Sequence, residues 1–183
     1  MKVLGIQSSP NVDGLTCQLA QAVLDGAQSE GAETEPIHLN RLNIESCKAH
    51  NRGWGICRTE GRCVLKDDFE SLRGKINGAD ALVFSTPVYF GDLSESAKRF
   101  LDRWRRCENS NREKSPLKGK LVIGIAAAGG SGGGAVNALH NMETYLRWLQ
   151  FTIFDLVPVT QISKKHKLDM LKVAGKRMVS KFP

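Results

Sequence analysis

The chain has 183 residues, of which 41% are hydrophobic and 25% charged, and its formal net charge is +7. This length and composition predict a single globular domain over residues 1–183, and they exclude a disordered chain, a collagen-like repeat and a disulfide-dense scaffold. No apolar run approaches the roughly 20 residues of a membrane span, and the first residues lack the apolar stretch of a signal peptide, so we expect a cytoplasmic protein.

Short apolar runs alternate with segments of helical periodicity along the chain. In order, the pattern predicts a strand at 2–7, a helix from 14 to about 29, a strand at 34–39, an irregular Cys-containing loop at 40–66, a helix from 67 or 68 to about 76, a strand at 81–85, a helix from 93 to about 107, a strand at 120–127, a helix at 135–149, a strand at 152–159 and a helix at 165–179. Such alternation predicts an α/β fold, a parallel sheet with helices on both faces. Ligands of these folds bind at the carboxyl ends of the strands.

The loop after the first strand has the composition of an anion site. Hydroxyls of Ser8, Ser9 and Thr16 flank Gly14, and the backbone N–H groups and dipole of the following helix favour negative charge. The loop is neither a G-x-G-x-x-G fingerprint nor a P-loop with its lysine, which favours a phosphate monoester over a pyrophosphate or triphosphate. The alternative is that the loop is an ordinary helix cap, with Asp13 at the N-terminus of the helix. If the loop binds phosphate instead, Asp13 must face away from it, because two negative charges repel.

Two further loops follow the third and fourth strands. Tyr89 and Phe90 lie on the first of them, where either ring can stack on a planar heterocycle or pack into the core. The second loop, Gly129–Gly134, holds five glycines in six residues, which lets its backbone approach the edge of a flat ligand. The alternative for this glycine segment is a mobile lid or linker.

The positive charge is concentrated at the C-terminal end. Residues 159–183 hold seven basic residues and one acidic residue, which accounts for +6 of the total charge. This pattern predicts a solvated helix face, and the alternative is the steering of an anionic partner such as a nucleotide phosphate. Neither aromatic residues nor a nucleic-acid-binding motif accompany these charges, so we expect no nucleic-acid partner.

Three stretches of the chain carry a family resemblance. They are Gly5-Ile6-Gln7-Ser8-Ser9-Pro10 with Gly14 and Thr16; Cys63-Val64-Leu65-Lys66-Asp67-Asp68; and Thr86-Pro87-Val88-Tyr89 with Lys98 and Asp102-Arg103. Together they resemble the NADPH-dependent FMN reductase-like and iron–sulfur flavoprotein branch of the flavodoxin superfamily over nearly the whole chain. The resemblance implies a flavodoxin-like three-layer sandwich whose five-stranded parallel sheet has the order 2-1-3-4-5.

The resemblance also implies FMN, with its phosphate on the first loop and its ring between the second and third. The implied cofactor-binding residues are Ser8, Ser9, Gly14, Thr16, Pro87, Val88, Tyr89, Phe90, Gly129 and Gly130. The chain departs from the family at Leu15, where many members have Asn, and at Asn11, where many have Arg. Each departure removes a phosphate donor.

The loop at 40–66 contains Cys47, His50, Cys57 and Cys63. Iron–sulfur flavoproteins of the resembling family carry a Cys-x2-Cys-x2-Cys-x4–7-Cys insertion here, and clusters usually take four cysteine ligands. In this chain His50 stands where the second Cys is expected. Three Cys and one His also form a zinc ligand set, although the spacing matches no common zinc motif. Free thiols are favoured, and an iron–sulfur cluster or zinc are the alternatives.

The resemblance implies an FMN-dependent oxidoreductase that takes electrons from NAD(P)H and passes them to a flavin, quinone or redox protein. The flavin carries the chemistry, so no catalytic side chain is predicted. One alternative is an iron–sulfur flavoprotein or flavodoxin-like carrier without NAD(P)H activity, and another is a flavin-free nucleotide- or partner-binding protein. A homodimer or homotetramer is expected, with the loop around Trp54 as its interface element.

Overall fold

The computed structural model describes residues 1–180. Its strands are β1 (Lys2–Gln7), β2 (Glu33–His38), β3 (Ala81–Pro87), β4 (Leu121–Ala128) and β5 (Thr152–Thr160), and its helices are α1 (Leu15–Ser29), α2 (Ile56–Thr59), α3 (Phe69–Asn77), α4 (Glu95–Glu108), α5 (Ala135–Trp148) and α6 (Lys164–Ser180). Every predicted strand and helix lies within two residues of its predicted bounds. The prediction of a wholly irregular loop at 40–66 is wrong in part, because this segment also contains α2 and a short 3-10 turn at Asn51–Gly53.

The five strands form one parallel sheet in the order β2-β1-β3-β4-β5, which confirms the predicted order. β3 lies between β1 and β4 and is buried along its whole length. It runs two residues beyond its predicted end because Thr86 and Pro87 continue the ladder opposite Ala126 and Ala127. Pro87 has no N–H to donate, and the bond to Ala127 is made by the next residue, whose N–H (Val88) donates to the Ala127 carbonyl oxygen at 2.9 Å. The loops that follow β1, β3 and β4 therefore emerge side by side.

A hydrophobic layer packs on each face of the sheet. On one face, α1 and α6 cover residues such as Val3, Val83 and Ile123. On the other, α3, α4 and α5 enclose a row of aromatic rings, in which Phe69 contacts Phe100, Phe100 contacts Trp104 and Trp104 contacts Phe151 at centroid distances of 5.7, 4.9 and 5.7 Å. Burial on both faces explains why the strands read as continuous apolar runs.

The helices α1 and α6 meet at two glycines. A Cβ atom added to Gly26 would lie 2.0 Å from the backbone oxygen of Lys172, and one added to Gly175 would lie 2.1 Å from that of Val23. We expect Gly26→Ala or Gly175→Ala to lower the free energy of unfolding by about 1–3 kcal/mol, because the helices must separate. Gly74 is the control: no atom lies within 4 Å of its added Cβ.

In urea unfolding, Gly74→Ala is expected to raise stability by about 0.5–1 kcal/mol, the ordinary gain of alanine within a helix. Equal effects at the three glycines would contradict the close helix contact.

Candidate functional site

The first loop is fixed by hydrogen bonds to the start of α4. The buried hydroxyl of Ser8 donates to the Ser85 carbonyl oxygen at 3.2 Å and accepts from the Ser94 hydroxyl at 2.8 Å. The carbonyl oxygen of Ser8 accepts further bonds from the Asn40 amide and the Ser96 hydroxyl, each at 2.9 Å. Ser8 therefore donates its proton inside the protein in this structure, and its contact with a phosphate stays a prediction.

The N-terminus of α1 is open to an anion. Gly14 occupies the N-cap position without a side-chain cap, and no acidic residue lies in the first turn. The first N–H groups of a helix have no partner within it, so those of Leu15, Thr16 and Cys17 are free to bind an acceptor. The Ser9 hydroxyl accepts from the Asn11 N–H at 3.1 Å, and no acceptor within residues 1–180 takes its proton.

A tight hairpin carries the two aromatic residues of the second loop. Tyr89 and Asp92 exchange backbone hydrogen bonds of 3.0 and 3.1 Å, and Phe90 and Gly91 between them have φ angles of +51° and +80°. Positive φ at both central residues is typical of a type I′ turn, which favours glycine or asparagine, so Phe90 is strained. Tyr89 is 49% exposed and Phe90 is fully exposed, so neither ring packs into the core.

Asp92 attaches this hairpin to α5. Its Oδ1 atom accepts a hydrogen bond from the backbone N–H of Leu93 at 2.7 Å and another from the Asn141 side-chain amide at 2.9 Å. Burial alone would raise the pKa of the Asp92 carboxyl, but these hydrogen bonds outweigh it and lower the pKa below its usual range. Asp92 is therefore anionic at neutral pH and holds the hairpin in place.

A cleft of about 560 Å³ lies between the hairpin and the glycine loop; we call it the ring cleft. It is lined by Val88, Tyr89, Phe90, Gly91, Ala128, Gly129, Gly130, Ser131, Gly133 and Gly134. Added Cβ atoms on Gly129 and Gly130 would meet no atom within 4 Å, so the backbone leaves room for a flat ligand. Where the two loops approach each other, an added Cβ on Gly134 would lie 2.5 Å from the Cα atom of Gly91.

Most of the predicted site residues thus lie along one edge of the sheet. Val88, Tyr89, Phe90, Gly129 and Gly130 line the ring cleft, whereas Pro87 ends β3 and is absent from its lining. The predicted phosphate loop follows the adjacent strand β1. The bracing of this loop by Ser94 was not predicted, because no local pattern connects residues so far apart in the chain.

The structure brings the four candidate metal ligands around one small cavity. Cys47, His50, Cys57 and Cys63 all line it, and its volume is about 20 Å³, little more than one water-sized sphere. Within residues 1–180, no three His, Cys, Asp or Glu side chains are arranged to hold one metal ion. Their assignment as ligands stays a prediction.

A buried ion pair that the sequence did not predict supports this cysteine loop. The guanidinium of Arg103 donates to both carboxylate oxygens of Asp67, at 2.6 and 2.9 Å, and both side chains are 1% exposed. The same guanidinium donates to the Cys63 Sγ atom at 3.3 Å and to the Glu45 carbonyl oxygen at 2.9 Å. Arg103 therefore connects α4 to both ends of the loop.

A five-stranded parallel sheet in this order, with helices on both faces, is the flavodoxin-like fold. The family model for NADPH-dependent FMN reductase matches residues 1–160, and the chain belongs to that family. It is thus an oxidoreductase of an FMN-binding family. None of the helices within residues 1–180 has the length and hydropathy of a membrane span.

Two relatives and one solved structure illustrate the similarity. An iron–sulfur flavoprotein of Methanocaldococcus jannaschii is 32% identical over 141 residues, which cover 77% of this chain and 70% of the relative. An NAD(P)H dehydrogenase (quinone) of Archaeoglobus fulgidus is 27% identical, with 92% of this chain and 91% of the relative covered. The structure of an NAD(P)H:quinone oxidoreductase from Methanothermobacter marburgensis superimposes with a TM-score of 0.74 at 18% identity, covering 97% of this chain and 96% of that one.

Proposed function

We propose that this protein is an FMN-dependent NAD(P)H oxidoreductase that passes electrons to a quinone, a flavin or a redox protein. The observation that carries the proposal is the pairing of the ring cleft with the uncapped N-terminus of α1 on the neighbouring loop. An isoalloxazine ring needs a flat cleft with backbone donors, and its phosphate tail needs an anion site.

Bound FMN supplies the electron-accepting chemistry, and the chain positions it. Ser9, Thr16 and the first N–H groups of α1 bind the phosphate, and the glycine loop borders the ring edge. Tyr89 and Phe90 are exposed at the cleft mouth, where their rings cover a planar ligand. No side chain is required to act as an acid or base.

Steady-state kinetics separate a reductase from a one-electron carrier. The FMN-loaded protein is expected to oxidise NADPH continuously when a soluble quinone is added. A flavodoxin-like carrier would bind FMN but would show no turnover with NADPH alone as donor. Absence of turnover in FMN-loaded protein would therefore contradict the proposal.

The phosphate assignment predicts a loss of FMN affinity in two hydroxyl variants. Ser9→Ala and Thr16→Ala are each expected to weaken FMN binding about 10- to 150-fold, since a hydrogen bond to a charged group contributes about 1.5–3 kcal/mol. Fluorescence titration of the apoprotein with FMN measures the Kd. Ser29→Ala is the control, because its hydroxyl caps the opposite end of α1. Unchanged affinity in both loop variants would contradict the assignment.

The cysteine cavity does not fit a four-iron cluster in this structure. It offers three thiols where clusters usually take four, and it holds little more than one water-sized sphere. Burial raises the pKa of the neighbouring Cys107 to about 12, so that thiol is not a substitute thiolate. We therefore propose that the loop carries free thiols.

The free-thiol proposal predicts how much iron the wild type and the His50→Cys variant retain. After anaerobic incubation with ferrous iron and sulfide followed by desalting, the wild type is expected to retain almost no iron. His50→Cys restores a fourth thiolate, so it is expected to retain more iron than the wild type. Stoichiometric iron and sulfide in the wild type, with a broad absorbance shoulder, would contradict the free-thiol proposal.

We also propose a cytoplasmic homo-oligomer with Trp54 at the interface. A cytoplasmic location rests on the sequence expectation of a reducing compartment for its five cysteines. Trp54 is 68% exposed, and the Arg58 guanidinium lies 4.4 Å from the centre of its ring. A large ring that is held in place yet exposed is typical of an interface residue.

A further inference from the structure

A second cleft lies between α4 and α5, outside the ring cleft. It has a volume of about 470 Å³ and is lined by Lys98, Arg105, Asn141, Thr144, Tyr145 and Trp148; we call it the α4–α5 groove. None of these six residues lines the ring cleft. The proposed binding of FMN leaves the groove without a role.

The groove and the ring cleft both border α5, the ring cleft at the N-cap residue Gly134 and the groove further along the helix. Asn137, Asn141, Thr144 and Trp148 follow one another at spacings of three or four residues, so they share one face of the helix. This face begins close to Gly91, which lines the ring cleft, and the Asn141 amide donates to Asp92 of the same hairpin. At 1.5 Å per residue, the groove extends roughly 10–20 Å from the N-terminus of α5.

The walls of the groove are held by hydrogen bonds and are partly aromatic. The Tyr145 hydroxyl accepts from the Lys98 amine and donates to the Asp102 carboxylate, each at 2.8 Å. The Trp148 indole N–H donates to the Arg105 carbonyl oxygen at 3.3 Å, and the Arg112 guanidinium lies 4.3 Å from the centre of the indole ring. Trp148 is nevertheless 40% exposed, so it offers aromatic surface to a ligand.

The charge of the groove suits an anion. Lys98, Arg105 and Arg112 lie at or beside it, and two carboxylates lie near them: Asp102, beside Arg105, and Asp92, which accepts from the lining residue Asn141. Arg105 is 44% exposed and reaches Asp102 only at 3.5 Å, which leaves most of its donors for a ligand. Arginine binds phosphate through paired N–H groups, and an indole stacks on a purine.

We propose that the α4–α5 groove binds the adenosine 2′-phosphate half of NADPH, with the nicotinamide end directed along α5 into the ring cleft. The proposal rests on the proposed reductase function. Adenine lies against Trp148, and the ribose phosphate is bound by Arg105 with Lys98 and Arg112 nearby. The groove would therefore select NADPH over NADH.

Two groove variants and one control test this assignment. Arg105→Ala is expected to raise the KM for NADPH about tenfold, with a smaller effect on NADH, because a charged hydrogen bond is lost. Trp148→Phe is expected to raise the KM for both donors. Arg147→Ala is the control, since Arg147 pairs with Glu143 on the exposed side of α5 and does not line the groove. The Arg105–Asp102 pair is exposed, so its loss will not unfold the protein.

A hydride donor without adenosine separates this proposal from the proposed function. Reduction of bound FMN by 1-benzyl-1,4-dihydronicotinamide is expected to be unchanged in both groove variants. If neither this compound nor NADPH reduces FMN bound to the wild type, the reductase function is overturned. Calorimetry with 2′,5′-ADP would still test the groove in that case.

Three results would overturn the groove assignment. One is an unchanged KM for NADPH in both variants, and another is equal loss for NADH and NADPH in Arg105→Ala. The third is a change of oligomeric mass in the variants, which would identify the groove as a subunit interface. Binding of 2′,5′-ADP to the wild type, weakened in Arg105→Ala, would support it.

Discussion

Replacing Asp67 with Ala is expected to lower the free energy of unfolding by about 3–5 kcal/mol, because the substitution leaves the Arg103 guanidinium buried without its counter-ion. The two side chains are each 1% exposed and share two hydrogen bonds. Asp68→Ala is the matched control, because within residues 1–180 the Asp68 carboxylate accepts a single hydrogen bond, from the Asn43 N–H at 2.7 Å. The control is expected to lose about 1 kcal/mol. Equal losses in urea unfolding would contradict a special role for the buried pair.

The same pair predicts how stability depends on pH. Burial alone would raise the pKa of the Asp67 carboxyl, but hydrogen bonds from Arg103 and from the backbone N–H groups of Glu45 and Phe69 lower it below its usual range. Because the pKa is lower in the folded state, the ionised carboxylate stabilises the fold fully above the unfolded-state pKa of about 3.9. This stabilisation is lost as the pH falls through the folded-state pKa. The stability difference between wild type and Asp67→Asn is therefore expected to narrow on acidification below about pH 4.

Replacing Gly134 with Ala is expected to weaken FMN binding by about 100-fold, or about 2.7 kcal/mol. Gly134 has a φ angle of +81°, which costs an L-residue roughly 1–2 kcal/mol. Its added Cβ would also lie 2.5 Å from the Cα atom and 3.0 Å from the N atom of Gly91, so the two loops that border the ring cleft must move apart.

Gly78→Ala is the control for this effect, since Gly78 lies at the end of α3 outside the ring cleft and its added Cβ would come no nearer than 3.6 Å to the surrounding atoms. The FMN Kd of each apoprotein and the far-ultraviolet circular dichroism are measured together. Weak binding by a fully folded Gly134→Ala protein is the expected result. Equal FMN affinity in the two variants would contradict the close approach of the loops.

The sheet and its edge could be predicted from the sequence because their signals are local. Each buried strand is a short apolar run, and each loop at the carboxyl edge differs in composition from ordinary connections. The hairpin at Phe90 was not predicted as such, since a two-residue turn with positive φ normally contains Asn or Gly at its first position. Tertiary contacts with Asp92 and α5 impose the turn on an unfavourable residue.

Contacts between distant residues account for what the sequence did not reveal. The pair of Arg103 and Asp67 joins residues 36 positions apart, and the hydrogen bond of Ser94 with Ser8 joins residues 86 positions apart. The α4–α5 groove likewise arises only when two helices pack side by side. The short helix α2 and its neighbouring turn lie in a segment without apolar periodicity, so composition alone indicated a loop.

Anaerobic visible absorbance of the FMN-loaded protein, recorded before and after NADPH, tests the central claim most directly. A two-banded yellow spectrum that bleaches on addition of NADPH, with no broad shoulder beneath it, is the predicted result. A protein that is colourless after incubation with FMN and removal of the unbound flavin by desalting would contradict FMN binding. A yellow spectrum that NADPH leaves unchanged would contradict the reductase function.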